Sequence, residues 1–219
     1  MRDHRQDEVR DPKQARSQKR VDSILKATKK LILSKGWAAV SMSDIATEAD
    51  ITISSIYQYF PNRSAIIEAL LARYLDQGRE NFHELFPSKP KDFEDLSNRI
   101  LQLLDAYYQL YRSEPVLRDI WTGMASEKAI KDLDADDTRF YVDNIYDLSK
   151  HLFLPESRDE VKNAIHILIS FAGPAVAIAV SQSIERGSRT INLTKAMLAA
   201  AFNSVLLPLA IKEVASSKR

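Results

Sequence analysis

Apolar residues return at three- and four-residue intervals along almost the whole of this 219-residue chain, the spacing of helices that bury one face. Val21, Ile24, Leu25, Leu31 and Ile32 mark the first such face, and Gly36 follows where a helix end favours a residue free to take positive φ. Ile66, Ile67, Leu70, Leu71, Tyr74 and Leu75 mark another. Leu96, Ile100, Leu103, Leu104, Tyr107, Tyr108 and Tyr111 mark a longer one. The same spacing predicts helices over Pro115–Met124, 127–153, 158–184 and 192–214. No stretch alternates apolar and polar residues with β-branched enrichment and hairpin turns, so the pattern predicts an all-α fold.

Between the first two faces, residues 41–60 read SMSDIATEADITISSIYQYF. Ser41 is placed to cap a short helix, with Asp44 three positions on in a capping-box arrangement. Met42, Ile45, Ala46 and Ala49 then share its inner face. Asp50 tolerates the left-handed conformation of a tight turn, which the β-branched Ile51 does not. Thr52 is a second N-cap, and Ile56 and Phe60, four apart, point inward from the next helix. Two short helices joined so tightly describe a helix-turn-helix, whose second helix enters the DNA major groove. At 100° per residue, Ser54 and Gln58 each stand about 200° from Ile56 and face outward. Ser55 and Tyr57 flank them, and Ile53 projects from the first turn as an apolar surface suited to a thymine methyl.

Charge reinforces this reading. Lys+Arg total 31 and Asp+Glu 30, but the near-neutral sum hides a basic N-terminal head that includes Arg16, Lys19, Arg20, Lys26, Lys29, Lys30 and Lys35. Such asymmetry is the footprint of a nucleic-acid contact, and Lys19 is expected to meet phosphate.

The run from Val21 to Tyr74 resembles the DNA-binding domain of the tetracycline-repressor (TetR) family. The resemblance is carried by the helix ending at Gly36-Trp37, by SMSDIATEADITISSIYQYFPNRSAIIEAL, and most specifically by Ile56-Tyr57-Gln58-Tyr59-Phe60 followed by Asn62-Arg63. It implies that Ser54, Ser55 and Tyr57 face bases or nearby phosphates and that Tyr59 meets the backbone. Ser41 would touch phosphate, and Arg63 stands where members usually have a phosphate-closing Lys. Asp50 departs from the small residue usual at the turn. Ile53 and Ser54 replace commoner polar, basic or Gly residues, so base preference does not carry over from relatives. The resemblance further implies a homodimer, an effector pocket among the C-terminal helices, and repression relieved by a small molecule; a cytoplasmic location is expected from the absence of Cys. The expected domains are a disordered basic arm over 1–12, a helix-turn-helix domain over 13–75, and a helical effector-binding and dimerisation domain over 76–219.

The C-terminal half fits that organisation from its own residues. The apolar helices near 163–184 and 192–211 exceed what one small core needs to bury, and paired across a two-fold axis they would form a four-helix bundle. Residues 163–184 carry no formal charge, but His166, Ser170, Ser181, Gln182, Ser183 and the Gly173-Pro174 break argue against a membrane span. Tyr107, Tyr108, Tyr111, Trp121, Phe140 and Tyr141 are candidate aromatic pocket residues, with His166 and Ser170 as polar ones. They point to an apolar or aromatic effector, although His166 on an apolar helix is more often a hydrogen-bonded core residue.

Other chemistry is disfavoured. With no Cys there are no disulfides, thiolate metal sites or thiol nucleophiles. Asp132, Asp134, Asp136 and Asp143 fall in a calcium-loop register, but Asp137 replaces the turn glycine, so an acidic helix start is the better reading. Gly-rich phosphate loops and G-x-S-x-G are absent from the sequence. The first 20 residues contain no apolar stretch of the kind a secretory signal needs. A transcriptional regulator without metal or cofactor is expected. An effector-independent architectural DNA-binding protein, or a helical small-molecule carrier or enzyme, are the alternatives.

Overall fold

The computed structural model describes the backbone of residues 12–124 and 128–211, and the side chains of residues 16–120 and 128–211. Residues 1–11 of the expected arm lie outside that range, whereas Pro12 already begins the first helix. The chain divides into two compact units, one ending at Leu71 and the other beginning at Ala72.

The first unit comprises α1 (Pro12–Lys35), a 3-10 turn (Trp37–Ala39), α2 (Met42–Glu48), α3 (Ile53–Tyr57) and the opening turns of α4 (Arg63–Leu85). Gly36 ends α1 at φ 74°, its N–H donating to the Ile32 carbonyl. Its core joins Ile24 and Ile32 of α1, Ile45 of α2, Ile56 of α3, and Ile66 and Ile67 of α4, all buried. Thr28, buried among them, donates its hydroxyl to the Ile24 carbonyl, so its burial leaves no polar group unmet.

The second unit contains the rest of α4 with α5 (Phe93–Ser113), α6 (Pro115–Met124), α7 (Lys128–Ser149), α8 (Arg158–Ser170), α9 (Ala172–Val180) and α10 (Ile184–Ala201). Phe93 and Phe153 meet edge-to-face, and an antiparallel bridge between Phe153 and Ala210 pins the end of the described chain to the loop after α7.

The last helices differ from the sequence expectation. The helix predicted over 158–184 is interrupted at Phe171 and ends at Val180. Pro174 has no N–H to offer the Ser170 carbonyl, and α8 stops at Ser170. Ser183 accepts the Arg186 N–H and starts α10 at Ile184, eight residues before the predicted Asn192. At the far end, Pro208 cannot serve the Ser204 carbonyl. The helix widens into a π turn over Phe202–Leu206 and tightens to 3-10 over Leu207–Leu209, and the predicted end at Val214 lies outside the described residues. Pro155–Val180 and Ile184–Leu209 are long and apolar enough to cross a membrane by composition alone. Both breaks fall inside them.

Helices α9 and α10 pack closely because residue 187 is glycine. A Cβ built there would stand 2.5 Å from the Ala179 carbonyl oxygen and 2.7 Å from the Tyr108 hydroxyl. The first contact is with backbone and cannot be relieved by a rotamer change. Gly187→Ala is therefore expected to destabilise the protein by about 1–3 kcal/mol, the range of an overpacked core. A lowered denaturant midpoint with unchanged slope would register it.

Candidate nucleic-acid interface and internal cavity

In the first unit, local chemistry sets the geometry. Ser41 caps α2 in a full capping box. Its hydroxyl accepts the Asp44 N–H at 3.1 Å and donates to the Asp44 carboxylate at 2.6 Å, and its own N–H reaches that carboxylate at 2.8 Å. These hydrogen bonds, with Lys35 2.9 Å away, hold the Asp44 carboxyl far below the ordinary carboxylate range. Ser41 is exposed, as a phosphate contact requires, but its hydroxyl proton is already directed to Asp44.

After α2 the chain turns at Asp50, which adopts φ 53°, and the Ile51 N–H closes on the Ala46 carbonyl. Thr52 then caps α3. Its side-chain oxygen accepts the Ser55 N–H and lies 2.9 Å from the Ser54 hydroxyl and 2.8 Å from that of Ser55. Ile56 is fully buried, and this fixes the rotation of the helix. Ile53 and Tyr57 are 46% and 53% exposed, unusual for large apolar side chains, and Ser54 and Gln58 are exposed beside them. Ser55 and Tyr59 are half-buried at the edges of this face. One short helix thus presents an alkyl group, a phenol, an amide and hydroxyls together, the functional groups that read base edges in a major groove.

The basic side chains divide into two groups. Lys30 pairs with Glu48 and Lys35 with Asp44, both tying α1 to α2. Lys19, with Arg16 and Arg20, stands exposed near the start of α1. Arg63 is half-buried. Its guanidinium donates to the Val40 carbonyl and lies 4.3 Å from the centre of the Trp37 ring. The group expected to close on phosphate therefore also braces the segment between α1 and α2, leaving only its remaining N–H groups for anything outside.

The second unit contains a cavity of about 200 Å³. Ile100, Leu103, Leu104 and Leu110 of α5, Leu168 and Ile169 of α8, and Leu198 of α10 make its apolar wall. Opposite chemistry comes from Asn81 of α4, Tyr107 of α5, and Asp134, Asp137, Thr138 and Tyr141 of α7. Gly78 of α4 also lines it, and a Cβ there would stand 2.8 Å from the Tyr141 hydroxyl. Burial pushes the Asp137 carboxyl up to about 6, partly offset by Arg79, whose Nε lies 3.1 Å from it. Asp134 is raised by burial too. Burial lifts Tyr107 to about 12, against a hydrogen bond from its hydroxyl to that of Tyr111, and raises Tyr141 above the ordinary tyrosine range.

Of the pocket residues expected from sequence, Tyr107, Tyr141 and Ser170 line this cavity. Tyr111 is buried behind Tyr107, and Tyr108 is buried with its hydroxyl over Gly187. Phe140 packs instead against Phe82, His83 and Tyr141, with Arg79 over its ring. His166 is exposed, not the core histidine its apolar surroundings suggested, because α8 buries Val161, Ala164, Ile165 and Leu168 and turns His166 the other way. The Trp121 side chain lies outside the described residues. Asp134, Asp137, Thr138 and Asn81 were missed. The acidic run did attract attention, as a calcium register, but it lies within the helix α7 and not in a loop.

The two cations expected to touch phosphate should separate by stability. Arg63→Ala is expected to lower unfolding free energy by about 1–2 kcal/mol, through loss of a charged hydrogen bond and a cation–π contact, in addition to any loss of DNA affinity. Lys19→Ala should lie within about 0.5 kcal/mol of the parent, as exposed substitutions do. Chemical denaturation beside DNA titration reads both quantities.

Residues 24–70 match the family model of bacterial regulatory proteins of the tetR family, and residues 94–204 match that of the tetracyclin repressor-like C-terminal domain. The chain is 27% identical over 104 residues to the HTH-type transcriptional regulator AlkX of Mycobacterium tuberculosis, covering 48% of each chain. It is 23% identical over 113 residues to the HTH-type transcriptional regulator EthR of Mycolicibacterium smegmatis, covering 47% of this chain and 52% of that one. The matched region spans about half the length of these curated relatives. A putative TetR-family transcriptional regulator from Syntrophomonas wolfei superposes with a TM-score of 0.69 at 19% identity, covering 85% of this chain and 96% of that one. The helix-turn-helix of the first unit and the helical second unit each have their counterpart in these matches, and the chain belongs to the tetracycline-repressor family of transcriptional regulators.

Proposed function

We propose that this protein is a dimeric, ligand-responsive repressor that leaves a palindromic DNA operator when a small molecule fills the cavity of its second unit. The outward face of α3 carries the reading: Ile53, Ser54, Tyr57 and Gln58 are exposed together while Ile56 and the Thr52 cap hold the helix in place. In this reading Ser55 and Tyr59 work at the edges of the groove, and Ser41, Lys19 and the free N–H groups of Arg63 meet phosphate. Phosphate contacts position the protein and base-edge contacts specify the site. Residues 13–75 act as the DNA-binding domain and 76–219 as the effector-binding and dimerisation domain, in the cytoplasm.

Dimerisation is supported by exposed apolar side chains on α8 and α10. Ile167 of α8 and Leu193 and Met197 of α10 are each more than half exposed, and Ala196 and Ala200 lie on the same side of α10. Apolar exposure on this scale marks a surface that a partner covers. Helices α8 and α10 paired across a two-fold axis would bury it, as the sequence suggested for the stretches near 163–184 and 192–211. The two recognition helices would then fall on half-sites about one DNA turn apart. The ligand acts by population shift, which requires different affinities for the DNA-competent and released states.

Capture and sequencing of genomic fragments at physiological salt tests the DNA reading. A few palindromic sites are expected with the parent protein and none with Tyr57→Ala, whose dimerisation and fold should be unchanged. Uniform, sequence-independent capture would instead mark an architectural binder. Leu193→Asp with Met197→Asp should give a monomer by sedimentation and weaken operator binding at least tenfold, because burying two charges at an interface is costly. A double variant that stays dimeric would place the dimer contact elsewhere.

A further inference from the structure

The chemistry of the cavity narrows what can enter it, on the reading that the cavity is the effector site. Among the described residues its lining includes two carboxylates, Asp134 and Asp137, and no Lys, Arg or His. The surrounding balance has the same sign. Arg79 is shared between Asp137 at 3.1 Å and Asp76 at 3.9 Å, so one guanidinium serves two carboxylates while Asp134 adds a third. Asp134 is exposed on α7, and partial desolvation still raises its carboxyl. An anionic ligand would enter a negative field in a partly desolvated site, where charge interactions are several-fold stronger than in water.

Two aromatic rings face the same space. Tyr107 and Tyr141 line the cavity, and both feel the negative charge of Asp137. Carboxylates beside tyrosine rings form the environment that attracts organic cations, through Coulomb attraction and the negative faces of the rings. Leucine, isoleucine, alanine and proline make up most of the remaining wall, with Asn81, Thr138 and Ser170 as neutral polar groups among them, so the body of the ligand must be largely apolar. A bare metal ion fits poorly: among the described residues no three His, Cys, Asp or Glu side chains converge as a metal site.

We infer that the cavity binds a small organic monocation with an aromatic or branched apolar body, its charge matched by Asp134 and Asp137 and faced by the rings of Tyr107 and Tyr141. This refines the apolar or aromatic effector expected from sequence by adding a positive charge. The site should respond to pH through Asp137, which is faced by Arg79 and Asp76 from α4, Tyr107 from α5, and Asp134 and Tyr141 from α7. Protonating Asp137 removes one of the attracting charges, so cation affinity should fall as pH is lowered from 7 to 5.

The test uses the full-length, ligand-free protein and three probes of similar shape: benzyltrimethylammonium, its neutral isostere neopentylbenzene, and 3-phenylpropionate. Benzyltrimethylammonium keeps its charge at every pH, so any pH dependence belongs to the protein. Calorimetric titration is expected to show the cation binding at least tenfold more tightly than either other probe. Asp134→Asn should weaken the cation about tenfold, the scale of one lost charge interaction in a partly screened site, and leave neopentylbenzene affinity unchanged. Tighter binding of neopentylbenzene or 3-phenylpropionate would overturn the cation inference while leaving an effector cavity. Equal loss of cation and neutral probe in Asp134→Asn would also overturn it, as would binding of none of the three. Cation binding that fails to release captured operator DNA would leave the site chemistry standing and overturn the effector reading on which it rests.

Discussion

A five-residue helix cannot hold itself in water, and everything proposed for the DNA face depends on the neighbours that hold α3. Helix nucleation costs more than one turn of hydrogen bonds returns, so α3 persists only through its cap and its buried side chain. Ile56 is completely buried, a contribution of roughly 1.5–3 kcal/mol, and the Thr52 cap adds about 1 kcal/mol. Together they fix both the start and the rotation of the helix. With Ile56 pointing inward, Ile53, Tyr57, Ser54 and Gln58 have nowhere to go but outward. Two of these four are large and apolar, so the chain exposes surface that its own stability gains nothing from exposing. Arg63 and the Lys30–Glu48 and Lys35–Asp44 pairs then tie the adjoining segments of the first unit together, using basic residues from the same pool that was expected to meet phosphate.

The second unit uses close approach rather than caps. Gly78 and Gly187 both lie inside helices, where glycine costs about 1 kcal/mol relative to alanine. Each position makes room for a tyrosine hydroxyl, Tyr141 over Gly78 and Tyr108 over Gly187. At Gly187 the gain is contact between α9 and α10. At Gly78 it is a lining position from which the Tyr141 hydroxyl lies against the α4 backbone, beside Asn81 and Asp137.

What could be read from the sequence follows the range of the forces involved. The caps at Ser41 and Thr52, the left-handed Asp50 and the inward Ile56 are local effects, set by residues within four positions, and their residue types announce them. The interruptions at Phe171 and Phe202 were not placed because both lie inside uncharged, largely apolar stretches. Pro174 stands out in the sequence as a break, but the effect of a proline falls on the preceding turn, at Ser170 for Pro174 and at Ser204 for Pro208. The start of α10 was missed because Glu185, Arg186 and Arg189 form an exposed turn with no apolar period. The acidic side of the cavity was hidden for a different reason. An Asp on a solvated helix face and an Asp facing a cavity are the same letter, and only the packing of α4, α5 and α7 distinguishes them. Tyr107 and Tyr141 were found because aromatic residues are conspicuous in any setting, and Phe140 was included by the same logic although it packs elsewhere.

Helices α8 and α10 join the two proposed activities of the second unit within one helix diameter. Leu168 faces the cavity while its neighbour Ile167 is exposed, and Leu198 faces the cavity while Met197 is exposed. Adjacent residues on a helix point about 100° apart, so a ligand pressing on Leu168 and Leu198 acts on the same turns that carry the proposed dimer surface. Helices move as rigid bodies more readily than they deform, and a small rotation that makes room in the cavity must also rotate Ile167 and Met197 against whatever covers them. Coupling between ligand and dimer geometry then needs no long chain of intermediaries, because the cavity wall and the outer face belong to the same two helices.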